Sequence, residues 1–540
     1  MKKKVLFILS ILISSLLLCM CGNNISERNN KSRIPNDEEI TLHNMNYDEE
    51  SKIYNLEYQK KLYDEVSDLK KSGNFTIENP LVIVNPFGTN TTGVYVYFKS
   101  SNKLYVKYNI HVNDESINDF SEILNNGLKK NLTKEHEYVL IGGIPGKENI
   151  ITLDLFDKNS ELINSKTFRV ALPELDPGSD YVLEKGNVSD VQEMSDGLFV
   201  TMGYINNEDG NTNTYYYDNN GVCRAQIKLD DYRIDRIVFY NSIMYISVDT
   251  NKIAALDRLG YVKNVYDLGK YEMHHDYILG DDGNLLILVS DTESNSSEDK
   301  VISLNLKNGS FKEIIDFGVL LPDIKEKAVL PEGKPKLDWI HLNALSLLDD
   351  KTALFSSREL STIINVSDIY DNPSVNYLIA DQKLWDDTIY ADIVYSKDGN
   401  FQSHGGQHSI EVINNEGLDK GLYYLDMYNN NTGVFSHYPD YNVAETENTD
   451  NDSMYYKYLV DENTKSYSLI KEIVLLPSRY ISSVQEYKDH IIADSGQSKT
   501  IYEFNSSDKL IAQYSLKETM WGLYRCFKHD FNNFYFYKIS

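Results

Sequence analysis

The sequence predicts an all-β protein, a six-bladed β-propeller preceded by a small β-sandwich domain. Residue types that favour strands are abundant, with 41 Tyr among 540 residues and many Val and Ile, while Ala-rich helical stretches are few. One hairpin pattern recurs through the second part of the chain, at spacings typical of propeller blades with insertions between them. The length exceeds what one small core needs, which indicates two or more domains.

The chain begins with the order of features of a secretory signal, "MKKKVLFILSILISSLLLCMCG". Three lysines precede an apolar run from Val5 to Leu18, which is too short to favour a permanent transmembrane helix. The following Cys21 is typical of a bacterial lipoprotein signal, so we expect residues 1–21 to direct export and Cys21 to carry a lipid. Cys19 is the alternative, because Met20 stands where a small residue is usual. The expected location is the cell surface or periplasm, with a membrane anchor.

The chain is strongly acidic, which limits its partners. Its formal charge is −28, and removal of residues 1–20, which contain three lysines and no acids, makes it −31. Such a surface argues against nucleic acid and against electrostatic binding to anionic lipid. Only Cys223 and Cys526 then remain. They could pair after export, but two cysteines make neither a disulfide framework nor a Cys-rich metal site.

Residues 22–75 are predicted to be a polar tether followed by one short amphipathic helix. Residues 22–47 contain few apolar residues to bury. Four apolar residues then recur at helical spacing: Tyr58, Leu62, Val66 and Leu69. The pattern ends at Gly73, and its apolar stripe predicts packing rather than a functional surface.

Residues 76–175 are predicted to form the sandwich. They contain runs such as "NPLVIVNPFGTNTTGVYVYF", "KLYVKYNIHV", "HEYVLIGGIPGKENIITLDLF" and "SKTFRVALPEL", which Gly, Pro and Asn turns separate. The Pro-containing stretch "LPELDPGSD" marks the boundary, and residues 176–540 are predicted to form the propeller.

The propeller prediction depends on a repeated hairpin: apolar residues, an Asp or Asn, a turn and another strand. The marker residues are Asp218, Asp257, Asn305, Asn365, Asp426 and Asn505, at intervals of 39, 48, 60, 61 and 79 residues. One hairpin per interval corresponds to the outer half of a four-stranded blade, so six copies predict six blades. A solenoid would need tighter periodicity, and a TIM barrel would need helices between the strands.

Unusual polar residues fall between these hairpins, where the inner strands of a propeller face its channel. They are His274 and His275 in "EMHHDY", His341 and Arg358 in "LDWIHLNALSLLDDKTALFSSRELS", and His404 and His408 in "FQSHGGQHSIEVI". Two of these segments share the pattern His-x-(Asp/Asn), which starts at His274 and His341. Because neighbours on a strand point to opposite faces, that register favours His274 over His275 as the channel-facing residue.

Taken alone, each of these histidines is more often structural, and what favours a site is their position in consecutive repeats. A three-His zinc site is one possibility, but a fixed guanidinium from Arg358 would oppose the cation. The same set suits a tetrahedral oxyanion, which Arg358 can hold bidentately while protonated histidines donate further hydrogen bonds. A histidine can also be a nucleophile or acid near neutral pH. We therefore expect phosphate or sulfate ester chemistry with no metal and no cofactor.

At these residues the sequence resembles the bacterial arylsulfate sulfotransferases that use no nucleotide sulfate donor. "HHD", "DWIHLN", "SSRELSTII" and "GGQHS" occur in the order found in that family, and the tail "WGLYRCFKHD" is similar to its closing blade. The stretches "NPLVIVNPFGTNTTGVYVYF" and "GGIPGKENIITL" are similar to its N-terminal sandwich. The resemblance covers roughly residues 75–540, and no P-loop for a nucleotide occurs.

The resemblance implies a six-bladed propeller and ping-pong transfer of a sulfuryl group from an aryl sulfate to a phenol. His408 would be the nucleophile that forms a sulfohistidine, and His341 and Arg358 would hold the sulfuryl oxygens. One of His274 and His275 would donate to the leaving phenolate oxygen or to a sulfuryl oxygen. We add Asn343 and His404 as candidate substrate-binding residues, although the family gives His404 no role.

Two other functions remain open at this stage. A propeller lipoprotein without catalysis could bind a ligand or partner, since propellers host many functions. A metal-dependent hydrolase in the same channel would be distinguished by its sensitivity to chelators. The expected partners are small aryl sulfates and phenols, the membrane through the lipid anchor, and a second copy of the chain if the sandwich mediates a homodimer.

Overall fold

The computed structural model describes residues 40, 42–45, 47, 53–175, 181–188, 191–203, 213–229, 232–413, 417–433, 435–441, 451–516 and 522–538. The expected signal peptide, the lipid site at Cys21 and most of the expected tether lie outside these residues. Among the residues described, none of the helices combines the length and apolar character needed to cross a bilayer.

The first helix, α1, spans Leu56–Ser72 and lies in the segment where helical spacing was predicted. The side chain of Asn55 accepts a hydrogen bond from the Tyr58 backbone N–H at 3.0 Å, which caps the first turn. Tyr58, Leu62 and Val66 are buried along one face, so the apolar stripe packs into the core, as its pattern predicts.

One buried side chain of α1 joins the two parts of the fold. The Gln59 carboxamide donates to the backbone oxygen of Phe87 in the sandwich at 2.9 Å, and its oxygen accepts from the N–H of Val262 in the propeller at 3.2 Å. These bonds satisfy a fully buried polar group. The helix therefore fills the junction between sandwich and propeller.

Seven strands form the sandwich, and one long strand among them pairs with four of the others. They are β1 (Leu42–His43), β2 (Leu81–Val84), β3 (Val94–His111), β4 (Phe120–Ile123), β5 (Thr133–Leu140), β6 (Glu148–Phe156) and β7 (Leu162–Ala171). The first half of β3 pairs with β2 and β5, and its second half pairs with β4 and β6. One strand thus contributes to both layers.

The end of the expected tether belongs to this domain. Strand β1 pairs in parallel with β2, with Leu42 opposite Val82 and His43 opposite Ile83, and Met45 is buried. The structure differs here from the sequence-based expectation, because Leu42 and Met45 are apolar enough to add an edge strand although the surrounding sequence is polar.

The remaining strands form the propeller together with a few short helices. The first strands are β8 (Glu184–Val188), β9 (Leu198–Met202), β10 (Thr214–Tyr217), β11 (Cys223–Ile227), β12 (Val238–Tyr240), β13 (Ile243–Asp249), β14 (Lys252–Leu256), β15 (Val262–Asp267), β16 (Tyr271–Leu279), β17 (Leu285–Asp291), β18 (Lys300–Leu304) and β19 (Phe311–Asp316). They continue with β20 (Leu342–Leu347), β21 (Ala353–Ser357), β22 (Thr362–Ser367), β23 (Ser374–Ile379), β24 (Ser396–Lys397), β25 (His408–Ile413), β26 (Leu422–Asn429), β27 (Ser453–Asp461) and β28 (Ser466–Leu475). The last are β29 (Ser483–Tyr487), β30 (His490–Ser495), β31 (Thr500–Phe504), β32 (Leu510–Ser515) and β33 (Arg525–His529). The helices are α2 (Phe317–Leu320), α3 (Pro322–Lys327) and 3₁₀ turns at Val191–Glu193, Gln382–Leu384 and Ala391–Ile393.

The described strands of the propeller form six sheets, so the predicted all-β fold of a sandwich and a six-bladed propeller is confirmed. From inside to outside the blades are β33-β9-β10-β11, β12 to β15, β16 to β19, β20 to β23, β25-β26-β27-β28-β24 and β29-β30-β31-β32-β8. Two strand pairings close the ring. The last strand, β33, is the innermost strand of the first blade, and the first strand of the propeller segment, β8, is the outermost strand of the sixth.

Five of the six predicted hairpins are the outer halves of blades. Asp218, Asp257, Asn305, Asn365 and Asn505 lie in or beside β10-β11, β14-β15, β18-β19, β22-β23 and β31-β32. The Asp426 copy is misassigned, because Asp426 lies in the middle of β26, the second strand of its blade. The Asn-rich run after β26 leads into a loop, and the outer hairpin of that blade is β27-β28.

Cys223 and Cys526 do not pair. Both are free, buried thiols in the first blade, Cys223 in β11 and Cys526 in β33.

A buried carboxylate joins the sixth blade to the first. Glu503 in β31 accepts from Lys528 Nζ of β33 at 2.7 Å, from His490 Nδ1 at 2.8 Å, and from the backbone N–H and hydroxyl of Ser195 at 2.7 Å each. Glu503 and Lys528 are fully buried, and burial lowers the Lys528 pKa to about 8. This ion pair therefore lies where the ring closes.

Glu503→Gln is expected to destabilise the propeller, because it leaves the buried Lys528 ammonium without a counter-ion. The expected loss is about 3–5 kcal/mol in the free energy of unfolding measured by denaturant titration. Glu472→Gln, at an exposed position of β28, is the matched control and should change stability by less than about 0.5 kcal/mol. An equal effect of both changes would contradict the role of this pair.

Candidate active site at one end of the propeller channel

The candidate residues converge because they lie where inner strands begin. His341 directly precedes β20 and His408 opens β25. Arg358 follows β21, which runs antiparallel to β20 and so returns to the same end, where its N–H donates to the His341 carbonyl oxygen at 3.1 Å. Inner strands of a propeller all begin at the same end of the channel, so the blades place these residues together.

His274 and His275 both reach this cluster, because β16 bulges between Met273 and Tyr277. His275 has a φ of +62°, and the two imidazole rings lie 5.3 Å apart between centroids. The strict alternation that favoured His274 over His275 does not hold within such a bulge.

The imidazole of His275 is fully engaged. Its Nδ1 lies 2.8 Å from the Tyr524 hydroxyl, and its Nε2 lies 3.1 Å from both His341 Nε2 and Glu298 Oε2. His274, by contrast, is buried and makes no side-chain hydrogen bond to the described residues. Burial lowers the pKa of both histidines, so both are neutral near pH 7.

His341 is held between two carboxylates. Its Nδ1 lies 2.6 Å from Asp338 Oδ2 and 2.8 Å from Glu298 Oε2. Burial and Arg358 lower the pKa of His341, but the two carboxylates outweigh them and raise it to about 9. Burial alone would raise the Glu298 pKa, yet the surrounding histidines hold it well below its usual range. At neutral pH this contact is therefore an imidazolium with two carboxylates.

The Gly405-Gly406 turn delivers His408. Gly406 has a φ of +62°, and a Cβ there would meet the Thr432 carbonyl oxygen at 3.1 Å, which favours glycine. Its N–H donates to Ser361 Oγ at 3.0 Å, and the Gly405 N–H donates to Asn429 Oδ1 at 2.9 Å. These bonds fix a turn that could otherwise be flexible.

The environment of His408 determines which ring nitrogen carries the proton. Its Nδ1 lies 2.7 Å from Asn430 Oδ1 and 3.0 Å from the Gly406 carbonyl oxygen, both acceptors. The Nδ1 therefore holds the proton, and Nε2 keeps its lone pair, which accepts a hydrogen bond from the Ile481 N–H at 3.3 Å. Burial lowers the His408 pKa to about 3. His408 is thus a neutral imidazole with a nucleophilic Nε2.

Asn430 cannot flip its carboxamide without losing hydrogen bonds. Its Nδ2 donates to the carbonyl oxygens of Ser478 at 2.7 Å and Ile481 at 2.9 Å. The Oδ1 therefore stays directed at His408, which fixes the tautomer of the imidazole.

Arg358 supplies a fixed positive charge. It contacts the Glu359 carboxylate, which also accepts from His437 Nδ1 at 3.1 Å, and its guanidinium lies 5.9 Å from the centroid of the Phe435 ring. Despite burial, Glu359 raises the Arg358 pKa. The Nε of Arg358 makes no hydrogen bond to the described residues, so the guanidinium keeps a donor for an oxyanion.

Asn343 and His404 support the turn from behind. Asn343 Nδ2 donates to the Gln407 carbonyl oxygen at 2.7 Å. His404 is buried, its Nδ1 lies 3.2 Å from the Tyr458 hydroxyl, and burial lowers its pKa to about 4. His404 thus contacts the backbone of Ser361 and Ile379 in the fourth blade as well as Tyr458 in the fifth.

Sequence reasoning missed four residues of this site: Glu298, Asp338, Asn430 and Tyr524. Asp338 and Tyr524 stand inside the quoted motifs "DWIHLN" and "WGLYRCFKHD", so their proximity to the motif histidines was the available signal. Glu298 lies in a polar loop between β17 and β18, and Asn430 lies in an Asn run typical of turns. Nothing in those two stretches marks either residue.

The same cluster contains donors suited to a metal ion. Ligand atoms of His274, His275 and Glu298 lie within 4.8 Å of one another, as do those of Glu298, Asp338 and His341. Hydrogen bonds between these groups account for most of the close distances. The expectation of a site without metal stays a prediction.

We expect His341 to titrate near pH 9 in the folded protein, up from an ordinary pKa of about 6.5. Because the folded pKa is raised, this contact stabilises the fold fully below about pH 6.5, and the stabilisation is lost as pH rises through about 9. NMR titration of the imidazole measures this midpoint. Asp338→Asn should move it to lower pH, and the exposed Asp350→Asn should not. A midpoint unaffected by Asp338→Asn would contradict the assignment.

Comparison with known proteins agrees with the arrangement of domains and residues. The family model described as arylsulfotransferase (ASST) matches residues 185–525, and that of the arylsulfotransferase Ig-like domain matches residues 81–173. No curated protein matches the chain.

Solved structures resemble the chain only distantly. A Bacteroides caccae protein of unknown function has 8% identity and a TM-score of 0.37, with 61% of this chain and 98% of that chain covered. A Pseudomonas aeruginosa periplasmic gluconolactonase has 9% identity and a TM-score of 0.35, with 78% and 99% covered. A Bacteroides thetaiotaomicron auxiliary nutrient binding protein has 8% identity and a TM-score of 0.32, with 79% and 94% covered. Likenesses this low carry no argument about function.

The arylsulfotransferase match spans more than half of the chain and includes His408, His341 and Arg358. The chain therefore belongs to the arylsulfotransferase (ASST) family and is an aryl-sulfate sulfotransferase.

Proposed function

We propose that this enzyme transfers a sulfuryl group from an aryl sulfate to a phenol by a ping-pong route through a sulfohistidine at His408. The observation that carries the proposal is the fixed tautomer of His408, with the proton on Nδ1 toward Asn430 Oδ1 at 2.7 Å and the lone pair on Nε2. A neutral imidazole with an oriented lone pair is ready to attack without prior deprotonation.

Each half-reaction exchanges one bond at sulfur. The Nε2 lone pair of His408 attacks the sulfur, the bond between sulfur and the aryl oxygen breaks, and its electron pair leaves on the phenolate. The oxygen of the phenolic acceptor then attacks the same sulfur, and the electron pair of the broken N–S bond returns to Nε2. The proton that the acceptor loses balances the proton that the departing phenolate takes up. A stable phenolate is a good leaving group, so no activated nucleotide donor is needed.

The cationic groups beside His408 would stabilise the charge that develops. Arg358 keeps an Nε donor for the sulfuryl oxygens. Both ring nitrogens of His341 already face protein groups, so His341 would contribute its positive charge rather than a free N–H. Such fixed charges in a buried site act without reorganising during the reaction.

The substrates proposed here are small aryl sulfates and phenols, and the chain would act outside the cytoplasm. The signal-like first 21 residues support export and a lipid anchor on Cys21. Binding of nucleic acid is not part of the proposal, since the acidic surface would repel it.

The test uses purified enzyme with 4-nitrophenyl sulfate, without nucleotide, with and without phenol. We expect steady-state nitrophenolate release, beyond the first equivalent per enzyme, that requires phenol and persists in EDTA. His408→Asn should abolish turnover because it removes the nucleophile, while His111→Asn, an exposed sandwich position, should retain it. Continued release beyond one equivalent per enzyme without an acceptor would indicate a sulfatase, and activity that persists in His408→Asn would eliminate the proposed nucleophile.

Asn430→Ala should slow formation of the sulfo-enzyme by about tenfold, because loss of one oriented hydrogen bond of about 1–1.5 kcal/mol frees the His408 tautomer. The effect should appear in kcat, while KM for the donor should change little, since the Asn430 carboxamide is already occupied by His408, Ser478 and Ile481. Stopped-flow release of the first nitrophenolate measures the rate. A change confined to KM would refute this positioning role.

A further inference from the structure

A continuous line of hydrogen-bonding groups runs through the site and ends at a residue with no role so far. The Tyr524 hydroxyl lies 2.8 Å from His275 Nδ1, and His275 Nε2 lies 3.1 Å from His341 Nε2. His341 Nδ1 then lies 2.6 Å from Asp338 Oδ2. The line joins four groups that can each give or accept a proton.

Both histidines of this line are occupied at both ring nitrogens. Neither His275 nor His341 can reach a substrate oxygen without breaking a contact inside the line. The hydroxyl of Tyr524 is the terminal group on the side away from the carboxylates. Among the described residues its hydrogen-bond partner is His275, so it is the group of this line that has hydrogen-bonding capacity left for a phenolic oxygen while the other contacts stay in place.

The backbone of Tyr524 is connected to the nucleophile through two consecutive amides. The Ile481 N–H points at His408 Nε2 from 3.3 Å, and the next N–H, of Ser482, donates to the Tyr524 carbonyl oxygen at 3.1 Å. The guanidinium of Arg233 lies 4.4 Å from the centroid of the Tyr524 ring and holds the ring in place.

We propose that Tyr524, His275 and His341 form a proton relay for the phenolic oxygen. In the first half-reaction, Tyr524 gives its proton to the departing phenolate and regains one from His275 Nδ1. His275 Nε2 takes a proton from His341 Nε2, which leaves His341 neutral. In the second half-reaction, the phenolic acceptor gives its proton to Tyr524, and the same steps in reverse return it to His341. Over both halves the protons balance without an external acid or base.

Glu298 and Asp338 are positioning residues in this relay. Both carboxylates contact His341 Nδ1, at 2.8 and 2.6 Å, and Glu298 also lies 3.1 Å from His275 Nε2. Three non-glycine residues here have φ between +46° and +62°: His275, Glu298 and His341. Such backbone strain accumulates at sites where side-chain placement matters for function.

The relay rests on the proposed sulfuryl transfer, and the dependence of rate on the leaving group separates the two. Phenolate is a far stronger base than 4-nitrophenolate, so the rate of its departure depends more on protonation. We therefore measure kcat/KM for phenyl sulfate and for 4-nitrophenyl sulfate, with 1-naphthol as acceptor. In a ping-pong reaction this parameter reports the first half-reaction alone.

Tyr524→Phe should lower kcat/KM for phenyl sulfate about 10²–10⁴-fold, the usual contribution of a general acid, and that for 4-nitrophenyl sulfate by less than about tenfold. Tyr232→Phe is the matched control, because Tyr232 lies nearby but bonds Asp235 and the Met273 carbonyl oxygen rather than His275. It should affect both donors by the same factor. Glu298→Gln should show the pattern of Tyr524→Phe with a smaller difference between donors.

An equal loss for both donors, or no loss, in a Tyr524→Phe enzyme with the wild-type melting temperature would overturn the relay. If Tyr524→Phe does not fold, an equal loss for both donors in Glu298→Gln overturns it instead. Failure of the wild-type enzyme to use either donor would overturn the proposed function itself.

Discussion

The buried guanidinium of Arg525, in the first blade, donates hydrogen bonds to two other blades at the channel, and the positions of the site residues depend on these contacts. Arg525 lies in β33, the strand that closes the ring, and it is 1% exposed. It donates to Asp276 Oδ1 of β16 at 2.7 Å and to the Asn343 carbonyl oxygen of β20 at 3.1 Å. Since breaking a buried ion pair costs several kcal/mol, these three inner strands are held in register. The residues adjacent to these three, Tyr524, His275 and Leu342, are positioned by the same contact.

Neighbouring histidines of the site differ in protonation state. Burial, together with neighbouring positive charge, lowers the pKa of His408, His274 and His275 and keeps them neutral, whereas two carboxylates keep His341 protonated. A neutral nucleophile thus lies beside fixed cations, which lets the lone pair attack an anionic sulfate ester that the cations attract. Groups with pKa values pushed apart by their surroundings are the usual basis for assigning acid and base roles.

Much of the fold could be predicted from the sequence, because turn residues and strand-forming runs are local signals. The hairpins at Asp218, Asp257, Asn305, Asn365 and Asn505 were found this way. Asp426 was misassigned because the Asn run that follows it signals a turn but not which strands it joins. The strand Leu42–His43 was missed because two apolar residues in a polar segment give too weak a pattern.

Only part of the site could be predicted from the sequence, again because only local signals can be read there. The histidines and Arg358 stand in motifs, but their partners are defined by contacts across the sequence. Tyr524 and His275 are 249 residues apart, and only closure of the ring brings them to 2.8 Å. The bulge in β16 also escapes a rule based on strict alternation, so the sequence could not show that both His274 and His275 reach the cluster.

The central claim is that the sulfuryl group rests on His408 between the two half-reactions. The most direct measurement is mass spectrometry of the enzyme quenched at alkaline pH after mixing with 4-nitrophenyl sulfate in the absence of any phenol acceptor. The account predicts one added SO₃ group per chain, located on the peptide that contains His408 and removed when phenol is added before the quench. An unmodified enzyme, or a sulfuryl group on another residue, would contradict it.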